Sequence, residues 1–184
     1  GTISAGVWNG TVIASAYLDS DTAHLSGTQT FSGAKTFSAD VAFSGDTATF
    51  SSANSTDPLV VIKNTTNDAN GSRLHFIKDK GAAGADGDDI GTIEFISDDA
   101  GQTQTSFAKI VAEVSEADNT DEAGKLSFYV AESDGTTTAL TAGLVLEGEH
   151  ATDGEVDVTI GAGAASTTSI AGNVYAAGGK FGID

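Results

Sequence analysis

Nowhere along its 184 residues does this chain repeat helix-forming apolar residues at spacings of 3, 4 and 7 over a helical length. It carries instead seven short apolar or alternating runs: LVVIK (59–63), RLHFIK (73–78), IGTIEFI (90–96), FAKIVAEV (107–114), KLSFYVA (125–131), LTAGLVLE (140–147) and VDVTI (156–160). Between them lie NTTNDANG, DKGAAGADGDD, SDDAGQTQ, SEADNTDEAG, ESDGTT and GEHATDGE, whose Gly, Asn and Asp residues adopt the positive φ angles of tight turns. Short strands at this spacing predict an all-β fold, an antiparallel sandwich or small barrel over residues 58–161. The period of two in VDVTI sets Val156, Val158 and Ile160 on one face and Asp157 and Thr159 on the other, a half-buried strand. The best helix candidate, EADNTDEA (116–123), has no apolar stripe and reads as an acidic loop.

The flanks have another character. Residues 1–53 and 162–184 are mostly Gly, Ala, Ser and Thr with isolated large residues. One copy of such a sequence buries too little apolar area to offset an ordering cost of about 1–2 kcal/mol per residue. The pair Phe-Ser nevertheless recurs at Phe31, Phe37, Phe43 and Phe50, in TFSGAKTFSADVAFSGDTATFSS. In extended chain the even steps keep successive rings on one face, and the odd last step needs a bulge or turn. Three parallel copies around one axis would turn each Phe into a layer of three rings, contributing on the order of 5–9 kcal/mol at roughly 1.5–3 kcal/mol per ring. The spacing therefore predicts a self-associating fibrous shaft, with Trp8 as a further axis-packing residue; Trp8 and Tyr17 are also the side chains here that could stack on a sugar ring.

Charge and missing residue types narrow the function. With 26 acidic and 8 basic residues the formal charge is −18, which repels phosphate backbones and anionic lipid, so neither nucleic acid nor membrane insertion is expected. No apolar run approaches the roughly 20 residues that span a bilayer, and residues 1–20 lack the basic start and hydrophobic stretch of an export signal. The absence of cysteine removes disulfides, thiolate metal ligands and thiol nucleophiles, and the absence of methionine suggests a piece of a longer chain.

Four segments carry a resemblance: GTISAGVWNGTVIASAYL (1–18), LSGTQTFSGAKTFSADVAFSG (25–45), DDIGTIEFISDDAGQTQTSFAKIVAEV (88–114) and VDVTIGAGAASTTSIAGNVYAAGGKFGID (156–184). In this order they resemble tail fibres of tailed bacteriophages and related virion fibre proteins, over nearly the whole chain. The resemblance implies an elongated, intertwined parallel homotrimer in which a β-rich globular domain interrupts thin shaft segments. It also implies a structural and adhesive role in host attachment, an extracellular place on the virion, and other tail proteins and a host surface glycan or protein receptor as partners. The corresponding division is a connector (1–30), a Phe-Ser shaft (31–57), a sandwich-like domain (58–161) and a C-terminal shaft (162–184). The chain departs from a complete fibre in having no recognisable virion anchor or self-cleaving chaperone domain. A tailspike-like polysaccharide depolymerase and a non-viral surface filament or trimeric adhesin are the alternatives.

No motif fixes a catalytic pair. Acidic residues are too abundant for any two to imply the separation that glycan hydrolysis requires, so no enzyme activity is expected. DGDD offers Asp86, Asp88 and Asp89, near Asp98 and Asp99, as oxygens for a divalent cation such as calcium, but it lacks the spacing and closing Glu of an EF-hand loop. A solvated turn is the preferred reading, and no cofactor is expected. GAAGADGDD (81–89) scans as three Gly-x-y triplets but has no proline to hold a collagen helix. His24, His75 and His150 stand far apart, with His75 expected on the strand face opposite Leu74 and Phe76. Asn9, Asn54, Asn64 and Asn70 open Asn-x-Ser/Thr sequons, read here as turn residues.

Overall fold

The computed structural model describes residues 30–150 and 154–175, together with Thr11 and Thr28. The chain divides into two compact units, Gly1–Val60 and Val61–Asp184. In the first, the described residues form neither helix nor strand. Its four phenylalanines are exposed, from 56% at Phe31 to 76% at Phe43, and among the described residues the ring contact there is Lys35 Nζ, 5.5 Å from the centre of Phe31.

The second unit is all-β. Its strands are β1 (Asp89–Asp98), β2 (Gln104–Glu116), β3 (Ala123–Ser133), β4 (Thr138–Gly148) and β5 (Val156–Ile160), joined as an antiparallel meander in the order β1-β2-β3-β4-β5. They coincide with the last five of the seven runs. The two earlier runs, 59–63 and 73–78, are not strands. Around them side chains bind nearby backbone and bend the chain: Asn64 Oδ1 accepts the Thr66 N–H (2.8 Å), Asp68 Oδ1 the Asn70 N–H (2.8 Å) and Asp79 Oδ1 the Gly81 N–H (3.0 Å). Such local bonds compete with strand ladders for the same groups.

The same chemistry closes the hairpins. After β1, Asp99 Oδ1 accepts the amides of Gly101 (2.7 Å) and Thr103 (2.9 Å); after β3, Asp134 Oδ1 accepts those of Thr136 (2.8 Å) and Thr137 (2.7 Å), with Gly135 at φ 88°. Residues 117–122 form the loop between β2 and β3 that their acidity and missing apolar stripe suggest.

These turns set the register, and the register sorts side chains by face. Asp89, Glu113, Lys125, Glu147 and Asp157 form one ladder across the five strands; Thr92, Val111, Ser127, Val145 and Thr159 form the next on the same face; and Glu94, Lys109 and Tyr129 belong to a third. On this charged face Lys125 pairs with Glu113 at 3.2 Å, and Lys109 Nζ lies 4.7 Å from the centre of the Tyr129 ring. These long side chains flank the middle ladder, where Val111 is 5% and Ser127 1% exposed. The opposite face carries Gly91, Ala112, Leu126, Leu146 and Val158, then Ile93, Ile110, Phe128, Leu144 and Ile160, then Phe95, Ala108, Val130 and Thr141. None of these three ladders contains a charge; the one carboxylate on this face is Glu132 beyond Val130, whose Oε1 accepts the Thr141 hydroxyl at 3.3 Å.

A two-sheet sandwich is therefore not what the described residues form: there is one sheet, and no second sheet packs on its apolar face. Exposure there reaches 54% at Phe95 and 59% at Ile160. The reason lies in residues 59–63 and 73–78, which a second sheet would have needed as strands. Phe76 contributes a side chain instead, resting over Gly91 so closely that a Cβ on that glycine would lie 2.8 Å from Phe76 Cβ. Gly91→Ala should consequently push Phe76 off the β1 edge and destabilise the sheet by about 1–3 kcal/mol, the usual cost of overpacking, readable as a lower denaturant midpoint. An unchanged midpoint would show that the Phe76 contact contributes nothing.

Candidate functional site

Two of the three carboxylates considered for a cation, Asp86 and Asp88, are already engaged as acceptors of backbone amides. Asp88 Oδ2 accepts from Lys80 Nζ at 2.6 Å and from the Ala85 amide at 2.8 Å, and Asp86 Oδ1 accepts the Ala117 amide at 2.9 Å, tying residues 85–88 to the end of β2. The Gly87 N–H to Val114 carbonyl bond (2.8 Å) and the Val114 N–H to Asp88 carbonyl bond (3.0 Å) continue the ladder past the start of β1. Asp89 enters β1 opposite Glu113 on the charged face. Among the described residues no three His, Asp or Glu side chains converge as a metal ion requires. Asp86, Asp88 and Asp89 are thus not brought together as a ligand set; two of them pin a loop.

A cluster of titratable groups sits at the β2–β3 loop. His150 Nδ1 lies 3.8 Å from Glu116 Oε2 and 3.6 Å from Asp121 Oδ2, while Glu116 Oε1 accepts the Ala117 and Asp118 amides, each at 3.0 Å. A shallow depression of about 320 Å³ beside His150 includes Ser115, Glu147 and Asp157 in its lining. Ser115 Oγ is buried without a hydrogen-bond partner, so serine and histidine are not coupled as nucleophile and base need to be. The geometry is that of a loop clasp. His75 lies in the strandless segment 73–78 rather than on a strand face. His24 and Trp8 lie outside the described residues. Asn64 behaves as the turn residue expected of it, its Nδ2 also donating to the Asn70 carbonyl at 3.1 Å.

The feature that stands out is the apolar face. At one end an open groove of about 670 Å³ runs between Val130, Glu132, Thr141 and Ile160 and the segment that follows β5. That segment turns at Gly161, whose φ is 92° and whose N–H donates to the Gly143 carbonyl at 2.9 Å, with the Ala162 amide donating to Ser166 Oγ at 3.1 Å. At the other end Gly124 and Gly148, which lack side chains, floor a second depression of about 410 Å³ walled by Leu126, Leu146 and Val156. No protein-family model, curated protein or solved structure matches this chain. The face and its grooves therefore have to be read from their own chemistry. The second depression can bury apolar surface but offers little to orient a polar ligand, whereas the first also carries Glu132 and the hydroxyls of Thr141, Ser166, Thr167 and Thr168.

The sequence showed alternation explicitly only in 156–160 and not this face, because which side a residue occupies across five strands depends on register. One signal was available: Leu126, Phe128 and Val130 alternate with Lys125, Ser127 and Tyr129, the pattern of a strand with one wet side and one dry side.

The hairpin carboxylates have a pH consequence. Amides of Thr137 and then Thr136 hold the Asp134 carboxyl below the ordinary aspartate range, as the Lys80 ammonium and then the Ala85 amide do for Asp88. A carboxyl depressed in the folded state stabilises above its unfolded value, near pH 4, and loses that contribution as pH falls through the lowered folded value. Asp134→Asn should therefore melt below the parent at pH 7, and the gap should close below about pH 4. A gap that persists to pH 2 would mean that charge is not what holds the turn.

Proposed function

We propose that this chain is a segment of a trimeric bacteriophage tail fibre, a structural and adhesive virion protein that helps to present the host-contacting surface and catalyses nothing itself. The observation that carries the reading is the set of four phenylalanines at regular spacing, all more than half exposed in the single chain. An exposed ring every six residues in a Gly, Ser and Thr background is unfavourable for a solitary chain and useful for a bundle. In the fibre, Phe31, Phe37 and Phe43 stack with their symmetry mates along an elongated, intertwined shaft, with Phe50 turning aside after the longer step and Trp8 packing nearer the start. Other tail proteins hold the fibre, and loops of the β domain face a host glycan or protein receptor. The surface charge of −18 accords with an extracellular particle that must not adhere to nucleic acid.

Localisation tests the role. Antibody raised against the chain should decorate fibres on tailed virions in electron micrographs; labelling confined to a cell surface would favour a filament or adhesin, and oligosaccharide released from host polysaccharide would favour a depolymerase. The shaft has its own test. Phe37→Ala removes three rings from one layer of a trimer, on the order of 5–9 kcal/mol before relaxation, so melts should fall and proteolysis should open residues 30–52. A superimposable melt with no new cleavage would end the shaft model.

A further inference from the structure

We infer that residues 59–63 of one copy of this chain add as an extra strand to the bare half of β4 in a neighbouring copy. The inference deepens the fibre reading above and rests on it for the neighbouring copy. β4 runs from Thr138 to Gly148, but β5 pairs only with residues 144–148. The side of 138–142 that faces away from β3 therefore has no partner strand, and among the described residues the segment after β5 bonds back at Gly143 and not beyond it. Neither proline nor lysine guards this edge, whose residues are Thr138, Ala139, Leu140, Thr141 and Ala142. The open groove of about 670 Å³ lies along it, with Thr141 and Gly143 on one wall and residues between 161 and 168 on the other. An unpaired edge beside a groove takes an extended polypeptide as an added strand.

The chain carries a segment that matches. LVVIK, residues 59–63, is five residues long like the bare stretch, has the composition of a strand, and is not one in the single chain. Its apolar side chains stand in water: Leu59 is 75% exposed, Val60 60%, Val61 67% and Ile62 52%. Among the described residues Lys63 has no carboxylate partner, and Glu132 has no cation.

Laid antiparallel to β4 with Val61 opposite Thr141, the segment fits residue by residue. Leu59, Val61 and Lys63 then share the face of Val130 and Glu132. Leu59 comes opposite Gly143, where an added Cβ meets nothing within 4 Å, and lies beside Ile160. Lys63 comes opposite the small Ala139, whose partner across β3 is Glu132. The two charged residues are then two strand spacings apart, about 9.6 Å, a gap that their side chains close from opposite ends. Glu132 accepts the Thr141 hydroxyl through Oε1, which leaves Oε2 for the ammonium. A parallel strand would reverse the order, setting Leu59 against the carboxylate and Lys63 at the apolar end. The outer edge of β5 is bare too, but on this face it offers Val156, Val158 and Ile160 and no carboxylate. Because 59–63 and the β4 edge both stay unpaired in the single chain, the donor is a neighbouring copy. Passing the segment from each copy to the next is a head-to-tail contact, which a three-fold ring closes.

The chain has no cysteine, so introduced thiols report cleanly. Facing residues of an antiparallel pair lie about 4.5–5.5 Å apart at Cα, within disulfide reach. Under mild oxidation Val61→Cys/Thr141→Cys should run as covalent multimers on denaturing gels, while Val61→Cys/Val158→Cys stays monomeric. Lys63→Glu in the first background should cut the linked fraction about fivefold, and Glu132→Lys added to it should restore linking. Hydrogen exchange of the unaltered chain needs no variant to fold, and in it the amides of 59–63 should exchange slowly. Linkage within one chain, equal linkage by both cysteine pairs, or free exchange of those amides overturns the inference. Linked multimers that fail to decorate virions would sink the fibre reading and leave the strand exchange standing.

Discussion

In a sheet one layer thick, a side chain can be sheltered only by its neighbours on the same face. Ser127 and Val111 are buried because their ladder is small and lies between two ladders of long side chains, Lys125 with Glu113 on one side and Lys109 with Tyr129 on the other. Alkyl stems and an aromatic ring lie along the sheet while their polar ends stay in water. The charged face thus carries a thin layer of cover made from its own residues. The other face is covered less evenly: Ile110, Phe128, Leu144 and Leu146 at its centre are half-buried, Phe76 lies over Gly91, and Phe95, Val130, Val158 and Ile160 towards its edges stay exposed. The same strands that give one face its own cover leave the other covered only in part.

That division depends on register, and register depends on the turns. A slip of one residue would carry every apolar side chain of a strand to the charged face. The carboxylates of Asp99 and Asp134, each binding two backbone amides, resist such a slip at two hairpins, and irregularities within the pairings absorb odd counts without reversing the faces. Acidic residues therefore serve three purposes in this chain. Some close turns, some pair with lysines across strands, and the rest set the repulsive surface that an assembled particle presents to water.

The described residues bear out the all-β reading and the position of five strands, because strands with turn chemistry at both ends are locally specified; residues 156–160 alternate between the two faces as expected, but all five are exposed, so the half-buried strand expected there is not found, β5 being the edge of a single sheet. Residues 59–63 and 73–78 were misjudged for a physical reason: a short apolar run is a strand only if another backbone pairs with it, and the Asx bonds around Asn64, Asp68 and Asp79 took up the local amides first. Asp86 and Asp88 were equally illegible as loop pins. Nothing near DGDD announces that Lys80, Ala85 and Ala117 will supply their partners, one of them 31 residues away.

By itself the sequence determined the secondary structure of the sheet, the absence of a helix among the described residues, the sign of the net charge and the poverty of the flanks, since propensity, turn residues and charge act within a few positions of one another. Only the tertiary structure decided that the domain has one sheet and not two, that most of the sheet's charges gather on one face, and that Phe76 is spent on Gly91. Those outcomes turn on pairing between strands distant in sequence, where register and the availability of a partner backbone, and not local preference, choose which side of each strand meets water.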